Sequence, residues 1–366
     1  MRLTFIISSL SHGGAERVMS IMANYWVKKG WKVTILTFAG AEMLPDYDLD
    51  ERVTHIPLGL MSDSYDLISG LWNNIHRILR LRDAIYNSKP DVVISFIDTV
   101  NVLTLIASKN LKIPVLVSER NNPAKYYIGN TWEKLRNWTY LSADRIVVQT
   151  QRIYDCLSPQ LQARACVIPN PILSTPIRKH QHLSKGSDDF SLIAMGRLNE
   201  QKGFDLLIQA FAKIKDKHPK WKLTILGEGS LRSQLEAIRD SLGLSQHVYF
   251  PGRVKNPSDY LLEADLFVLS SRFEGFPNAL CEAMACGRPV ISFDCDTGPR
   301  EIIRNGVDGM LVPNEDVFAL TQAMDSLMSD QKKRQNLAAK APEVVTKFSL
   351  DKVMEIWEKV LNDVCY

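Results

Sequence analysis

The sequence predicts an α/β protein with two tandem Rossmann-like, doubly wound domains facing a cleft. Three observations predict it. Short apolar runs alternate with amphipathic helical stretches along the chain, the pattern of parallel sheets covered by helices on both faces. At 366 residues the chain is longer than one ordinary core. A proline-rich, polar stretch, IPNPILSTPIRKHQHLSKGSDD at 168–189, separates two such alternating sets. The boundaries expected are a first domain over 1–170, a linker over 171–189, a second domain over 190–347, and a C-terminal helix over 348–366 that returns to the first domain. Ligands of such sheets sit beyond the carboxyl ends of the strands.

In the first half the strand candidates are LTFIIS, KVTILTF, DVVISF, PVLVSE and DRIVVQT. The opening MRLTFIISSLSHGG reads as a buried strand rather than a signal peptide. Its apolar run is short, lacks an A-x-A site, and passes through Gly-Gly into AERVMSIMANYWVKKG, apolar at Ala15, Val18, Met19, Met22, Tyr25 and Trp26. The second half offers FSLIAMG, KLTILGEG, HVYFPG, DLFVLS, PVISF and GMLVP. The last helix, SLDKVMEIWEKVLND, is apolar at Leu350, Val353, Ile356, Trp357, Val360 and Leu361.

Composition excludes several classes. A formal charge of +3 does not argue for nucleic acid, and no segment approaches the roughly 20 apolar residues of a membrane span. Six scattered cysteines, without C-x-x-C or zinc spacing, read as reduced thiols of a cytoplasmic protein. There is no G-x-S-x-G, Walker A or H-E-x-x-H.

The candidate chemistry lies at strand ends of the second half. Arg197 and Lys202 in GRLNEQKG flank a turn before a helix. They suit a diphosphate, but this segment taken alone reads rather as two solvated surface cations. Gly227 and Gly229 form a tight turn without the third glycine of a dinucleotide fingerprint. Backbone after VYFPG, at Arg253 and Val254, is placed to read a base edge. In SSRFEGFPNALCEAMACG, Glu274 follows a buried strand, Pro277 turns the chain, and Asn278 is expected to cap the next helix. The amides of Phe276, Pro277's neighbours and Ala279 then add a positive helix end. Glu282, one turn in, suits the vicinal hydroxyls of a ribose. Together these residues imply a nucleotide-sugar site, with one carboxylate for each sugar and a diphosphate between them. Taken singly, both carboxylates also fit local structural roles.

The set formed by GRLNEQKG, GEG, the Glu-x7-Glu pair in EGFPNALCE, GRPVISFDCDTGPREIIRNGVDGMLVP and SHGGAERV resembles the retaining glycosyltransferases of family 4, which have the glycosyltransferase-B fold. The likeness covers most of the chain. It is nearest to bacterial cell-surface and lipid-linked glycan assembly enzymes, including the polymerising N-acetylgalactosaminyltransferase type of bacterial N-glycosylation, through SFIDTVN and SER-N. The resemblance implies catalytic roles for Glu274, Arg197 and Lys202. Arg197 and Lys202 would neutralise the leaving diphosphate, and Glu274 with Phe276, Pro277, Asn278 and Ala279 would hold the transferred sugar. Glu282 would bind ribose, Val254 the base, and Gly13 and Gly14 would let the first domain approach the donor phosphates. Many relatives carry a histidine where this chain has Arg120, which stays protonated and cannot act as a base. The implied front-face substitution, in which the leaving phosphate takes the acceptor proton, survives that change. Arg120 would steady phosphates or an acidic acceptor group.

The expected activity is therefore transfer of a hexose or N-acetylhexosamine from a UDP-sugar to a polyprenyl-diphosphate-linked glycan, with no metal or other cofactor. DYD at 46–48 and DCD at 294–296 mimic metal-binding Asp-x-Asp but read as loop carboxylates. The alternatives are a nucleotide-sugar epimerase of the same fold and a degenerate nucleotide-binding protein. Two aromatic and basic stretches, 71–86 (with Leu71, Trp72, Ile75, Ile78, Leu79, Arg77 and Arg80) and 125–141 (with Tyr126, Tyr127, Trp132, Trp138, Lys125, Lys134 and Arg136), suit an anionic membrane surface on the cytoplasmic face. They equally suit helices that cover the first sheet. His12 beside Gly13 reads as exposed or locally satisfied.

Overall fold

The computed structural model describes the chain except residues 12, 62–66, 174–188 and 366, and the side chains of 67–71. His12, Leu71 and most of the expected linker therefore lie outside the described residues. The chain divides into two compact units, Met1–Pro171 with Asp351–Tyr366, and Ile172–Leu350.

The first unit holds a seven-stranded sheet made of β1 (Arg2–Ile7), β2 (Lys32–Thr37), β3 (Thr54–Pro57), β4 (Val92–Phe96), β5 (Val115–Ser118), β6 (Arg145–Val148) and β7 (Ala165–Val167), in the order β3-β2-β1-β4-β5-β6-β7. Every pairing is parallel. The inner strands are buried almost throughout, which is why they read as unbroken apolar runs. The sequence reading missed β3 and β7. They are short edge strands, THIP and ACV, whose half-exposed residues carry no such run.

The second unit holds a six-stranded parallel sheet made of β8 (Phe190–Met195), β9 (Trp221–Leu226), β10 (Val248–Gly252), β11 (Leu266–Leu269), β12 (Val290–Asp294) and β13 (Met310–Pro313), in the order β10-β9-β8-β11-β12-β13. All six coincide with the expected runs. In both sheets the order reverses beside the first strand, between β1 and β4 and between β8 and β11. That leaves a crevice at the carboxyl ends, where the connecting loops part.

The C-terminal helix Leu350–Cys365 buries Val353, Met354, Trp357 and Leu361. Trp357 meets the edge of Trp26 with ring centroids 6.5 Å apart, and Glu358 accepts from Trp26 Nε1 at 3.2 Å and Lys29 Nζ at 2.8 Å. The apolar face differs from the expected one at two positions: Met354 is buried, and Ile356, which the sequence reading placed inside, is 42 % exposed.

Candidate active site

In the second unit, the loop after β8 carries Arg197 and Lys202 and ends at Gly203. Gly203 has φ +59°, and a Cβ there would lie 2.1 Å from the Ser270 carbonyl oxygen. Only glycine permits both the left-handed backbone and this approach. Ser270, just beyond β11, also donates from Oγ to the Lys202 carbonyl at 2.9 Å. The two strand ends are thus stitched together, and Lys202 reaches the next loop. Its Nζ lies 2.6 Å from Glu274 Oε1, an oxygen that also accepts from Ser271 Oγ at 2.6 Å. Thr297 Oγ1 donates to the Glu274 carbonyl. Glu274 is 4 % exposed, and Lys202 and Ser271 rather than water satisfy its Oε1. Arg197 is exposed, and its guanidinium has no partner among the described residues.

The helix Asn278–Ala285 follows. Asn278 does not cap it: the cap position is Pro277, there is no side-chain cap bond, and Asn278 is the first helical residue. The Phe-Pro turn displaces the start by one residue, so the Asn side chain cannot reach forward to the free amides. The Asn278 amide donates to Phe276 O and the Leu280 amide to Pro277 O. The amides of Phe276 and Ala279 have no backbone acceptor among the described residues. Glu282 lies half-buried in the second turn.

The segment expected to read a base follows β10, whose register against β9 breaks between Tyr249 and Gly252. The Gly227 amide donates to Gly252 O at 2.9 Å, and Arg232 holds both Glu228 and the Phe250 carbonyl. Arg253 is exposed, and Val254 packs half-buried on the unit's core. Sequence reasoning missed Ser271 and Thr297. Ser271 was legible as the second of two serines leaving a strand. Thr297 lies 23 residues from Glu274 and gave no signal.

In the first unit, Gly13 precedes the helix Gly14–Lys28 in extended backbone, and Tyr47 Oη donates to its carbonyl at 3.1 Å. A Cβ at Gly13 would lie 1.9 Å from Glu16 Oε2, so the protein's own carboxylate is folded against this helix start. Arg120 stacks on Phe96, its guanidinium carbon 3.5 Å from the ring centroid, and Nη1 donates to Asn170 Oδ1 at 2.5 Å. Its Nε and Nη2 are buried without a partner. Burial pulls its pKa down to about 9, against Glu16 and Glu119, which raise it.

Beside it lies a polar cluster that sequence reasoning did not find. Glu119 is 1 % exposed and accepts from Tyr140 Oη at 3.0 Å, with Arg136 Nη1 at 3.9 Å. Burial, then the charge of Asp98, pushes the Glu119 carboxyl up to about 7. Burial raises Asp98 as well. The folded state therefore binds the Glu119 proton more tightly than the unfolded chain. Its contribution to stability is complete below the ordinary glutamate value and is lost as pH rises from there through about 7. Glu119→Gln is expected to flatten this fall, measured as denaturant midpoints at pH 5 and pH 8.

Of the aromatic stretches, Trp72, Ile75, Leu79 and Tyr86 are exposed along one side of the helix Leu67–Ser88, together with Arg80. Ile78 differs from the expected grouping and turns inward with Leu81 and Ile85. Tyr126, Tyr127 and Trp138 are exposed beside Lys125 and Lys134, whereas Trp132 packs on the core. Arg136 is not a surface cation: it is buried and paired with Glu133 and Glu119. The helix Asp98–Ala107 packs between the helices Leu67–Ser88 and Asn130–Thr139. No helix among the described residues is long and apolar enough to cross a membrane. Asp294 of DCD pairs with Arg300, and among the described residues no three His, Cys, Asp or Glu side chains form a metal-holding group.

Residues 12–173 match the model for Glycosyltransferase Family 4, and residues 177–344 match the model for Glycosyl transferases group 1. The chain is 29 % identical over 368 residues, 100 % of its length and 99 % of the relative's, to a Campylobacter jejuni α-1,4-N-acetyl-D-galactosaminyltransferase named for a GalNAc–GalNAc–diNAcBac-PP-undecaprenol. It is 27 % identical, over 93 % of each chain, to a second C. jejuni 4-α-N-acetylgalactosaminyltransferase named for a diphospho-undecaprenol substrate. Staphylococcus aureus TarM, crystallised with Fondaparinux, α-GlcNAc-glycerol and UDP, superposes with a TM-score of 0.82 at 14 % identity, over 99 % of each chain. Anabaena Alr3699/HepE in complex with UDP superposes at 0.79 and 19 % identity, over 99 % of this chain and 100 % of that one. These two share the fold. On the strength of both family matches, which adjoin and span nearly the whole sequence, the chain is a glycosyltransferase of family 4 with the two-domain glycosyltransferase-B fold.

Proposed function

We propose that this glycosyltransferase moves a hexose or N-acetylhexosamine from a UDP-sugar to a polyprenyl-diphosphate-linked glycan, with retention at the anomeric carbon and without a metal. The observation that carries the reading is the Lys202–Glu274 contact, 2.6 Å, at the carboxyl ends of β8 and β11. It sets a cation for a leaving diphosphate beside a carboxylate for the transferred sugar. Arg197, exposed on the same loop, supplies a second positive charge, and the amides of Phe276 and Ala279 at a helix start add partial charge. The leaving phosphate would take the acceptor proton as the new glycosidic bond forms on the same face, so no side-chain base is needed. Glu282 would hold the ribose hydroxyls, and backbone at Arg253 and Val254 the base. The UDP named with TarM and HepE supports the donor class. The undecaprenol-linked substrates named for the C. jejuni relatives support the acceptor class.

On the first unit, the two unpartnered nitrogens of Arg120 suit a phosphate or carboxylate oxygen, and the Arg120 charge feels Glu16, whose carboxylate lies against the helix start at Gly13 and Gly14. The outward Trp72, Leu79, Tyr127 and Trp138, with Arg80, Lys125 and Lys134, suit peripheral contact with an anionic cytoplasmic membrane face, each cation adding about 1 kcal/mol.

The test is calorimetric titration of UDP in EDTA on wild type and Glu282→Ala. Binding is expected without metal, and loss of charge-assisted bonds to ribose is expected to weaken it about 10- to 100-fold. Equal affinity in the two proteins would remove Glu282 from the site. Binding that requires a divalent cation would overturn the metal-free reading.

A further inference from the structure

Arg272 leaves the end of β11 two residues before Glu274. Its guanidinium makes a two-pronged pair with Asp205, Nη1–Oδ1 at 2.9 Å and Nη2–Oδ2 at 2.7 Å. Nη1 also donates to the Glu200 carbonyl at 2.8 Å, and Nε to Glu315 Oε2 at 3.1 Å. Its backbone takes part too: the amide donates to Gln201 O at 2.8 Å, and the carbonyl accepts from Asn314 Nδ2 at 3.1 Å. Gln201 Nε2 returns a bond to the Phe273 carbonyl at 3.0 Å. One residue therefore ties the loop after β8, the loop after β11 and the segment after β13.

This is more than an ordinary surface ion pair provides. An isolated exposed pair contributes little, whereas a planar guanidinium filled on both prongs and on Nε fixes geometry as well as charge. What it fixes is the stretch 200–203. Gly203 is already pressed on the Ser270 carbonyl, so the loop has one seat against β11, and Lys202 projects from that seat to Glu274. Asp205, in the first turn of the helix Phe204–Ala212, is an anchor that the helix dipole favours.

We infer that Arg272 is a positioning residue for sugar transfer: by seating residues 200–203 against the end of β11, it sets where the Lys202 ammonium stands relative to the Glu274 carboxylate. The inference rests on the roles proposed above for that pair.

The experiment measures kcat with a UDP-sugar and a lipid-linked acceptor for Arg272→Gln, Lys202→Ala, the double variant and Arg272→Lys, with melting curves to confirm folding. Arg272→Gln is expected to lower kcat about 10- to 100-fold, the effect of a small misplacement of a catalytic group. In the Lys202→Ala background it is expected to cost nothing further, because the group it positions is gone. Arg272→Lys is expected to recover only part of the loss, since an ammonium cannot fill both prongs. An equal cost in both backgrounds would overturn the positioning role. Wild-type turnover in Lys202→Ala alone would overturn the reading of Lys202, and this inference with it, before the double variant is compared. Should Arg272→Gln fail to fold, Asp205→Asn removes the same pair from the other side and carries the same expectations.

Discussion

Glu274→Gln is expected to lower kcat for sugar transfer about 100- to 1,000-fold, the cost of removing one preorganised electrostatic group, while UDP affinity stays within about 3-fold. The substitution keeps shape and removes charge. Ser271 Oγ can still donate to the amide oxygen, so the loop keeps one of its ties. Lys202 loses its anionic partner in a setting where the lysine side chain is 18 % and the glutamate 6 % exposed. The proposed role of Glu274 concerns the transferred sugar rather than the nucleotide, so binding and turnover should separate. Steady-state transfer and calorimetry on the same preparation check this. A variant with wild-type kcat would show that the carboxylate does not act on the sugar.

Trp357→Ala is expected to destabilise the first unit by about 3–5 kcal/mol, the usual cost of deleting a buried indole. Trp357 is 1 % exposed and meets Trp26, which stacks on Trp31 at 5.3 Å and on Phe5 at 5.8 Å. Removing it opens a cavity against the helix Gly14–Lys28 and loosens the seat of Glu358 on Trp26 and Lys29. Ile356→Ala, one residue away but 42 % exposed, is the control and should change stability by about 0.5 kcal/mol or less. Denaturant unfolding followed by tryptophan fluorescence compares the two. Similar midpoints for both variants would mean that the helix contributes little to the unit.

The strands were legible because burial on both faces leaves an unmistakable trace: VVISF, VLVS and LFVL are buried throughout and hold at most one polar residue each. Where one side of a strand meets solvent, as in THIP and ACV, the trace vanishes. The C-terminal helix was legible, and so was its inward face: half-buried Leu350 and buried Val353, Met354, Trp357 and Leu361 fall at the i, i+3, i+4, i+7 and i+11 spacing of one helical stripe, which leaves Ile356 to the side. The sequence reading passed over Met354 and so set the stripe askew.

The sequence by itself determined the α/β class, the strands of the second sheet, and the loops that bear the candidate chemistry. Parallel strands bring all their carboxyl ends to one edge, so Lys202 and Glu274 could be assigned to the same end of the sheet although they are 72 residues apart. Only the tertiary structure decided which groups meet there. It paired Lys202 with Glu274, recruited Ser271 and Thr297, gave the cap position to Pro277 rather than Asn278, and buried Arg136 against Glu119. The contacts of Lys202, Ser271 and Thr297 with Glu274 depend on loop ends meeting within about 3 Å, the range of a hydrogen bond. Residue order and periodicity set which loops are neighbours. They do not set which atoms of those loops come into contact.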